Sequence, residues 1–270
     1  MWATKLLSVD GRRSPYLEAG DPASPHVLVL VHAFPVGMRM WEPVAVPHGW
    51  RAIAPALPGF DGADPVEAPP PSIDHYAHAV LGVMDGLGID HAVVGGLSMG
   101  GYVAFALWRL ARLRWRGLVL ADTRAAADSE QGRAGRQKML DLLHERGSRA
   151  IAEEMVPKLL GETARKTQPQ LVAHAMRLIE RQTSDAIAGA LVRLRDRPDS
   201  TPLLRDIGVP TLVIVGDEDI VTPPSDSEQL AAQIEDARLV RIPASGHLSC
   251  MERPAEFSAA LAGFLNAIRG

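Results

Sequence analysis

Six short runs constrain this chain more than any other feature. HVLVLVHAF (26–34), WRAIAPAL (50–57), HAVVGGLS (91–98), RGLVLAD (116–122), TLVIVGDED (211–219) and ARLVRIP (237–243) are dominated by Val, Leu and Ile. A strand with one wet face alternates apolar and polar residues, whereas a near-continuous apolar run suits a strand covered on both faces. Longer helical patterns are predicted between or after these runs at 73–87, 99–112, 224–234 and 254–268. That alternation predicts a parallel sheet assembled from βαβ units. The opening segments ATKLLSV and RSPYLEAG predict an edge hairpin turning through Asp10-Gly11.

Residues 125–200 interrupt the alternation. GRAGRQKMLDLLHERG, RAIAEEMVPKLL, QPQLVAHAMRLIERQ and SDAIAGALVRLRD are four amphipathic patterns with no strand between them. They predict a helical cap over the carboxyl edge of the sheet, inserted into a core formed by 1–124 and 201–270. The Pro-rich EAPPPS (67–72) predicts a surface loop and not a domain linker, because the strand pattern resumes soon after it.

The bulk properties narrow the function classes. With 270 residues, 47% hydrophobic and 22% charged, the chain can bury a sizeable core. A net charge of −4, with Lys and Arg dispersed along the chain, gives no footprint for nucleic acid or an acidic membrane. Cys250 is the only cysteine, so no internal disulfide or cysteine metal site is expected, in keeping with a reducing cytoplasm. MWATKLLSVDG does not read as a secretory signal, and VLVLV is far too short to cross a bilayer. Cytoplasmic, with a small molecule as its partner, is the expectation; oligomeric state stays open.

In open α/β sheets, ligands bind beyond the carboxyl ends of the strands. Phe34, Ser98, Asp122, Asp219 and His247 are predicted there. Gly96-Leu97-Ser98-Met99-Gly100 is G-x-S-x-G, with a strand pattern before it and the helix pattern GYVAFALWRL after it. That context suits a sharp turn presenting a serine nucleophile. A Gly-rich turn can instead hold phosphate, but GGLSMGG lacks the lysine of a P-loop, and a dinucleotide fingerprint would need serine in place of glycine. A hydroxyl nucleophile needs a base and an acid to orient it. Asp219 follows a strand and His247 precedes the last helix, so the chain order is Ser98…Asp219…His247.

The blocks VHAFPVGMRMW, LPGFDGAD, GLSMGGY, GDEDIVTPP and SGHLSCMERP resemble, in order, those of the α/β-hydrolases, in the group of 3-oxoadipate enol-lactonases, small esterases and cofactor-free perhydrolases. The resemblance implies a mostly parallel central sheet flanked by helices and an enzyme cleaving carboxylic esters or lactones, with no cofactor and no metal. Its acid pattern falls on Gly216, Asp219 and Pro223, leaving Asp217 and Glu218 as turn residues; Asp122 stands where some relatives carry their acid. It also implies that the backbone N–H groups of Phe34 and Met99 form the oxyanion hole, although Ala33 stands where the group usually has glycine.

His32 is expected to be a structural partner of that loop. Leu97, Ile220 and Leu248 are candidates for an apolar acyl pocket beside Phe34 and Met99, and each reads equally well as core. Arg124 is placed to meet a substrate carboxylate or to form a cap salt bridge. Cys250, without an elbow of its own, is expected to be a small packed residue. A C–C bond hydrolase of β-diketone type keeps the same triad and stays open, as does a non-catalytic small-ligand receptor. Dehalogenases and epoxide hydrolases, with aspartate at the elbow, do not fit Ser98.

Overall fold

A computed structural model describes residues 1–66 and 71–269. Eight strands form one sheet: β1 (Ala3–Val9), β2 (Arg12–Gly20), β3 (Val27–Val31), β4 (Arg51–Pro55), β5 (Ala92–Leu97), β6 (Trp115–Ala121), β7 (Thr211–Gly216) and β8 (Ala237–Ile242). Their order is β1-β2-β4-β3-β5-β6-β7-β8. The β1–β2 and β2–β4 pairings are antiparallel and every other pairing is parallel. Five of the six strands predicted from apolar runs lie inside the sheet, and β3, β5 and β7 are buried at every residue. The sixth, β8, is the other edge strand and is only partly buried, because no strand covers its outer side. The edge strand β1 is exposed along most of its length, and its Lys5 pairs with Glu18 of β2.

Helices flank the sheet. α1 (Ile73–Gly86) and α2 (Met99–Ala111) pack on one another, and α2 lies against β3, β5 and β6; α7 (Pro224–Gln233) and α9 (Pro254–Ala267) lie against β7 and β8. Their starts are written in the sequence. Ser72 caps α1 through the Asp74 N–H, and Pro stands at the first turn of α7 and α9, where a missing N–H costs no helical bond. The Pro-rich stretch falls largely on residues 67–70, outside the described residues. A further short helix, α8 (Ser249–Glu252), follows His247 and has no counterpart in the predicted elements.

Between β6 and β7 the chain is helical, as α3 (Glu130–Leu159), α4 (Glu162–Thr167), α5 (Pro169–Glu180) and α6 (Ser184–Arg195). Gly147, at φ 72, breaks α3 into two helical arms, at the boundary between the first two predicted patterns. The six-residue α4 is additional. Asp128 ties this region down: Arg124, Arg136 and Arg197 converge on its buried carboxylate at 2.9, 3.0 and 2.7 Å. These arginines stand after β6, in α3 and after α6, so one carboxylate joins both ends of the insertion. Among the described residues no helix is long and apolar enough to cross a membrane.

Candidate active site

Ser98 sits between β5 and α2 at φ 56 and ψ −111, a conformation that costs a non-glycine residue roughly 1–3 kcal/mol unless its surroundings enforce it. The surroundings do enforce it. The Ser98 N–H donates to the Ala121 carbonyl at 2.9 Å, and its own carbonyl accepts from the Thr123 hydroxyl at 2.9 Å. The flanking glycines have a packing reason: a Cβ on Gly96 would strike the Gly100 carbonyl, and one on Gly100 would strike the Val31 carbonyl. Only glycine lets the helix start this close to β5 and β3. Ser98 is left 9% exposed.

β7 ends at Gly216, and the next turn carries Asp219. One of its oxygens accepts the N–H groups of Val221 (2.8 Å) and Thr222 (3.1 Å); the other accepts the Thr222 hydroxyl (2.7 Å) and lies 2.8 Å from His247 Nδ1. Burial works against an ionised Asp219, but the neighbouring His247 charge, the bond to His247 and the Thr222 bonds outweigh it and hold the carboxyl below its ordinary value. An ionised Asp219 accepts a hydrogen bond from the Nδ1–H of His247, leaving Nε2 as the basic nitrogen. Nε2 is buried and has no hydrogen-bond partner among the described residues. A buried, unpartnered acceptor is unfavourable in a merely structural histidine.

Asp122 likewise follows a strand, but its carboxylate accepts the Gly216 N–H (2.9 Å) and the Ser249 hydroxyl, and among the described residues no bond joins it to His247. Burial, then the Asp219 charge, push its carboxyl well above the ordinary range. His32 ties two loops together: Nε2 accepts the Leu57 N–H at 3.1 Å, so Nδ1 carries the proton and donates to the Ala33 carbonyl at 3.1 Å. Burial lowers its pKa, in keeping with a neutral ring. The next residue, Phe34, is buried, as is Met99, the first residue of α2, whose N–H has no intrahelical acceptor. Among the described residues neither N–H donates to a protein acceptor.

The proposed pocket residues do not gather as one surface. Leu97 and Leu248 are fully buried in the core cluster. Ile220 is 66% exposed, which removes it from any enclosed acyl pocket; it sits at the outer bend of the turn whose inner side holds the Asp219 carboxylate. Arg124 donates to Asp128, with Asp226 at 4.0 Å, so its charge is engaged in the salt-bridge network. Cys250 is buried, and burial followed by the charges of Asp122 and Glu252 pushes its thiol well up, away from reactivity. Sequence reasoning passed over Thr222 and Glu252. Thr222 had a signal in its position three residues after an aspartate in a turn. Glu252 had none, because its partners are backbone N–H groups.

Ser98 on its strained strand-to-helix turn and the Asp219–His247 pair on the loops after β7 and β8 all lie at the carboxyl end of the mostly parallel sheet. Among the described residues no hydrogen bond joins Ser98 to His247. The arrangement fits the hydrolase class of doubly wound proteins. The chain belongs to the alpha/beta hydrolase fold family, whose profile matches residues 26–254. It is 24% identical to 3-oxoadipate enol-lactonase 1 of Acinetobacter baylyi over 255 residues, covering 94% of this chain and 93% of that one. A thermophilic esterase from Thermogutta terrifontis superposes with a TM-score of 0.91 at 32% identity, over 99% of this chain and 100% of that one. The enol-lactonase of Burkholderia xenovorans gives 0.88 at 25% identity, over 97% and 100%.

Proposed function

We propose that the protein is a serine hydrolase of small carboxylic esters or lactones, working through an acyl-enzyme, with residues 125–200 as its cap. The observation that carries this is His247, bonded through Nδ1 to an ionised Asp219 while its buried Nε2 has no protein partner. Ser98 Oγ adds to the substrate carbonyl as Nε2 takes its proton. The resulting oxyanion accepts the N–H groups of Phe34 and Met99, donors of a kind worth a few kcal/mol each. Collapse expels the alcohol, or the ring oxygen of a lactone, with the proton returned from His247. Nε2 then deprotonates water, which attacks the ester carbonyl and frees Ser98. Asp219 holds the ring tautomer and stabilises its cation throughout. Side chains and water complete this cycle.

The enol-lactonase and esterase relatives support the ester and lactone reading, while a 2-hydroxy-6-oxo-6-phenylhexa-2,4-dienoate hydrolase of Comamonas testosteroni, 28% identical over 262 residues, supports C–C bond cleavage as the alternative. A cytoplasmic setting fits the single buried thiol. The test is a screen of p-nitrophenyl esters of rising acyl length together with simple lactones, run beside Ser98→Ala. Turnover with a stoichiometric burst of p-nitrophenol is expected. Turnover of every substrate no faster than by Ser98→Ala would overturn the proposal.

A further inference from the structure

Two core carboxylates outside the Ser98–Asp219–His247 set meet the cap at one turn. Glu252, buried in α8, accepts three backbone N–H groups. Two belong to Gly246 (3.0 Å to each oxygen) and Leu248 (3.2 Å), which flank His247 on either side. The third belongs to Gly161, between α3 and α4, at 2.8 Å. Glu218, the residue before Asp219, accepts the Thr163 N–H at 2.8 Å and the Thr163 hydroxyl at 2.5 Å. The Leu248 N–H is shared with the Leu159 carbonyl at 3.1 Å. Gly161 and Gly246 meet backbone to backbone, since a Cβ on either would strike the other's main chain.

A staple serving stability alone could join cap and core anywhere along their contact. Here the side-chain bonds of Glu252 and Glu218 to the cap all end on the one turn Gly161–Thr163, those of Glu252 to the histidine loop end on the residues either side of His247, and Glu218 stands next to Asp219. A buried carboxylate is costly unless its oxygens are satisfied, and the three N–H groups of Glu252 come from two separate segments, so both segments must be in place together. We propose that Glu252 and Glu218 are positioning residues that lock the cap turn Gly161–Thr163 to the loops carrying Asp219 and His247, so that the seating of the cap sets where His247 Nε2 stands. This end of α3 is then the fixed edge of the cap. The kinetic part of the proposal rests on the serine-hydrolase reading above.

The test uses the full chain with Thr163→Val, Glu218→Ala, Glu218→Gln and Glu252→Gln, each checked by circular dichroism and thermal melting. p-Nitrophenyl acetate kinetics are paired with amide hydrogen exchange over residues 244–250. Small displacements of a catalytic group cost rate steeply, so Glu252→Gln should lower kcat roughly tenfold or more and Thr163→Val several-fold, both with KM little changed. Glu218→Ala should behave like Thr163→Val, and Glu218→Gln, which keeps an acceptor for the Thr163 N–H, should recover part of the loss. Exchange at 244–250 should quicken in Thr163→Val although that substitution lies in the cap. If Glu252→Gln does not fold, Thr163→Val and Glu218→Ala carry the test. Folded variants with unchanged kcat and unchanged exchange, or with losses confined to KM, would overturn the proposal. A wild-type protein inactive on every ester would remove the hydrolase reading, and the exchange data alone would then decide the clamp.

Discussion

Asp122 and Asp219 follow the adjacent strands β6 and β7 and are both buried, yet their surroundings push their carboxyls in opposite directions. Asp219 faces His247 Nδ1 at 2.8 Å and stays ionised, whereas Asp122 faces a backbone N–H and a serine hydroxyl, and burial favours its neutral form. Two carboxylates this close resist ionising together, so one being charged helps keep the other protonated. The protein thus distinguishes the two acids by their partners.

Substituting each acid separately tests that division. Asp219→Asn should lower kcat by about a thousandfold to ten-thousandfold, because the histidine loses the partner that fixes its tautomer. Asp122→Asn keeps an acceptor for the Gly216 N–H and should stay within about fivefold of wild type, as expected for a group that touches no reacting atom. Steady-state kinetics on one ester decide it. The reverse pattern would transfer the acid role to Asp122.

The same pair gives a stability signature. A carboxyl whose folded pKa is raised binds its proton more tightly folded than unfolded. Asp122 therefore costs no stability below the unfolded carboxylate pKa of about 3.9, and the cost grows as pH rises through its folded value. Asn cannot ionise and escapes that loss. Melting of wild type and Asp122→Asn between about pH 4 and about pH 8 should show the Tm difference moving steadily toward the variant. A flat difference, or one moving toward wild type, would contradict the assignment.

Ser98→Ala should abolish ester hydrolysis, with kcat falling on the order of ten-thousandfold or more, because members of a triad act as a unit. The fold should be kept: the hydrogen bonds that hold residue 98 in place use its backbone N–H and carbonyl, which alanine retains. A folded Ser98→Ala protein keeping more than a few per cent of wild-type kcat would exclude Ser98 as the nucleophile.

The sequence foretells the architecture well because its signals are local and repeated. Six of the eight strands announce themselves as apolar runs and β1 and β2 as a hairpin about Asp10-Gly11, while Gly147 marks the break in α3 as a glycine between two amphipathic patterns. The elbow is legible for the same reason, since Gly96, Ser98 and Gly100 are spaced along one turn. What the sequence hides is set by tertiary partners. Nothing local to Ile220 says that the turn points it outward, and nothing in MERP says that the carboxylate of Glu252 gathers N–H groups from the histidine loop and the cap. The role of Arg124 depended on where Asp128 stands, four residues on in sequence but also within reach of Arg136 and Arg197.

Acyl length is the property most directly set by the closure of the site. Ser98 is 9% exposed, and Phe34, Met99 and His247, which the proposed mechanism sets about the acyl group, are buried, which points to an enclosed acyl site. In an open groove each added methylene would gain about 0.8 kcal/mol of burial and kcat/KM would climb with chain length until solubility intervened. In an enclosed site the same methylene must displace packed side chains, at a cost of typically 1–3 kcal/mol, which overtakes the gain within a few carbons. In the proposed cap, the bonds from Gly161 and Thr163 to Glu252 and Glu218 would hold one edge in place and limit how far the wall retreats. With p-nitrophenyl esters, kcat/KM should therefore peak between acetyl and butyryl and fall beyond. A maximum at decanoyl or longer would mean that the cap opens into a lipase-like channel.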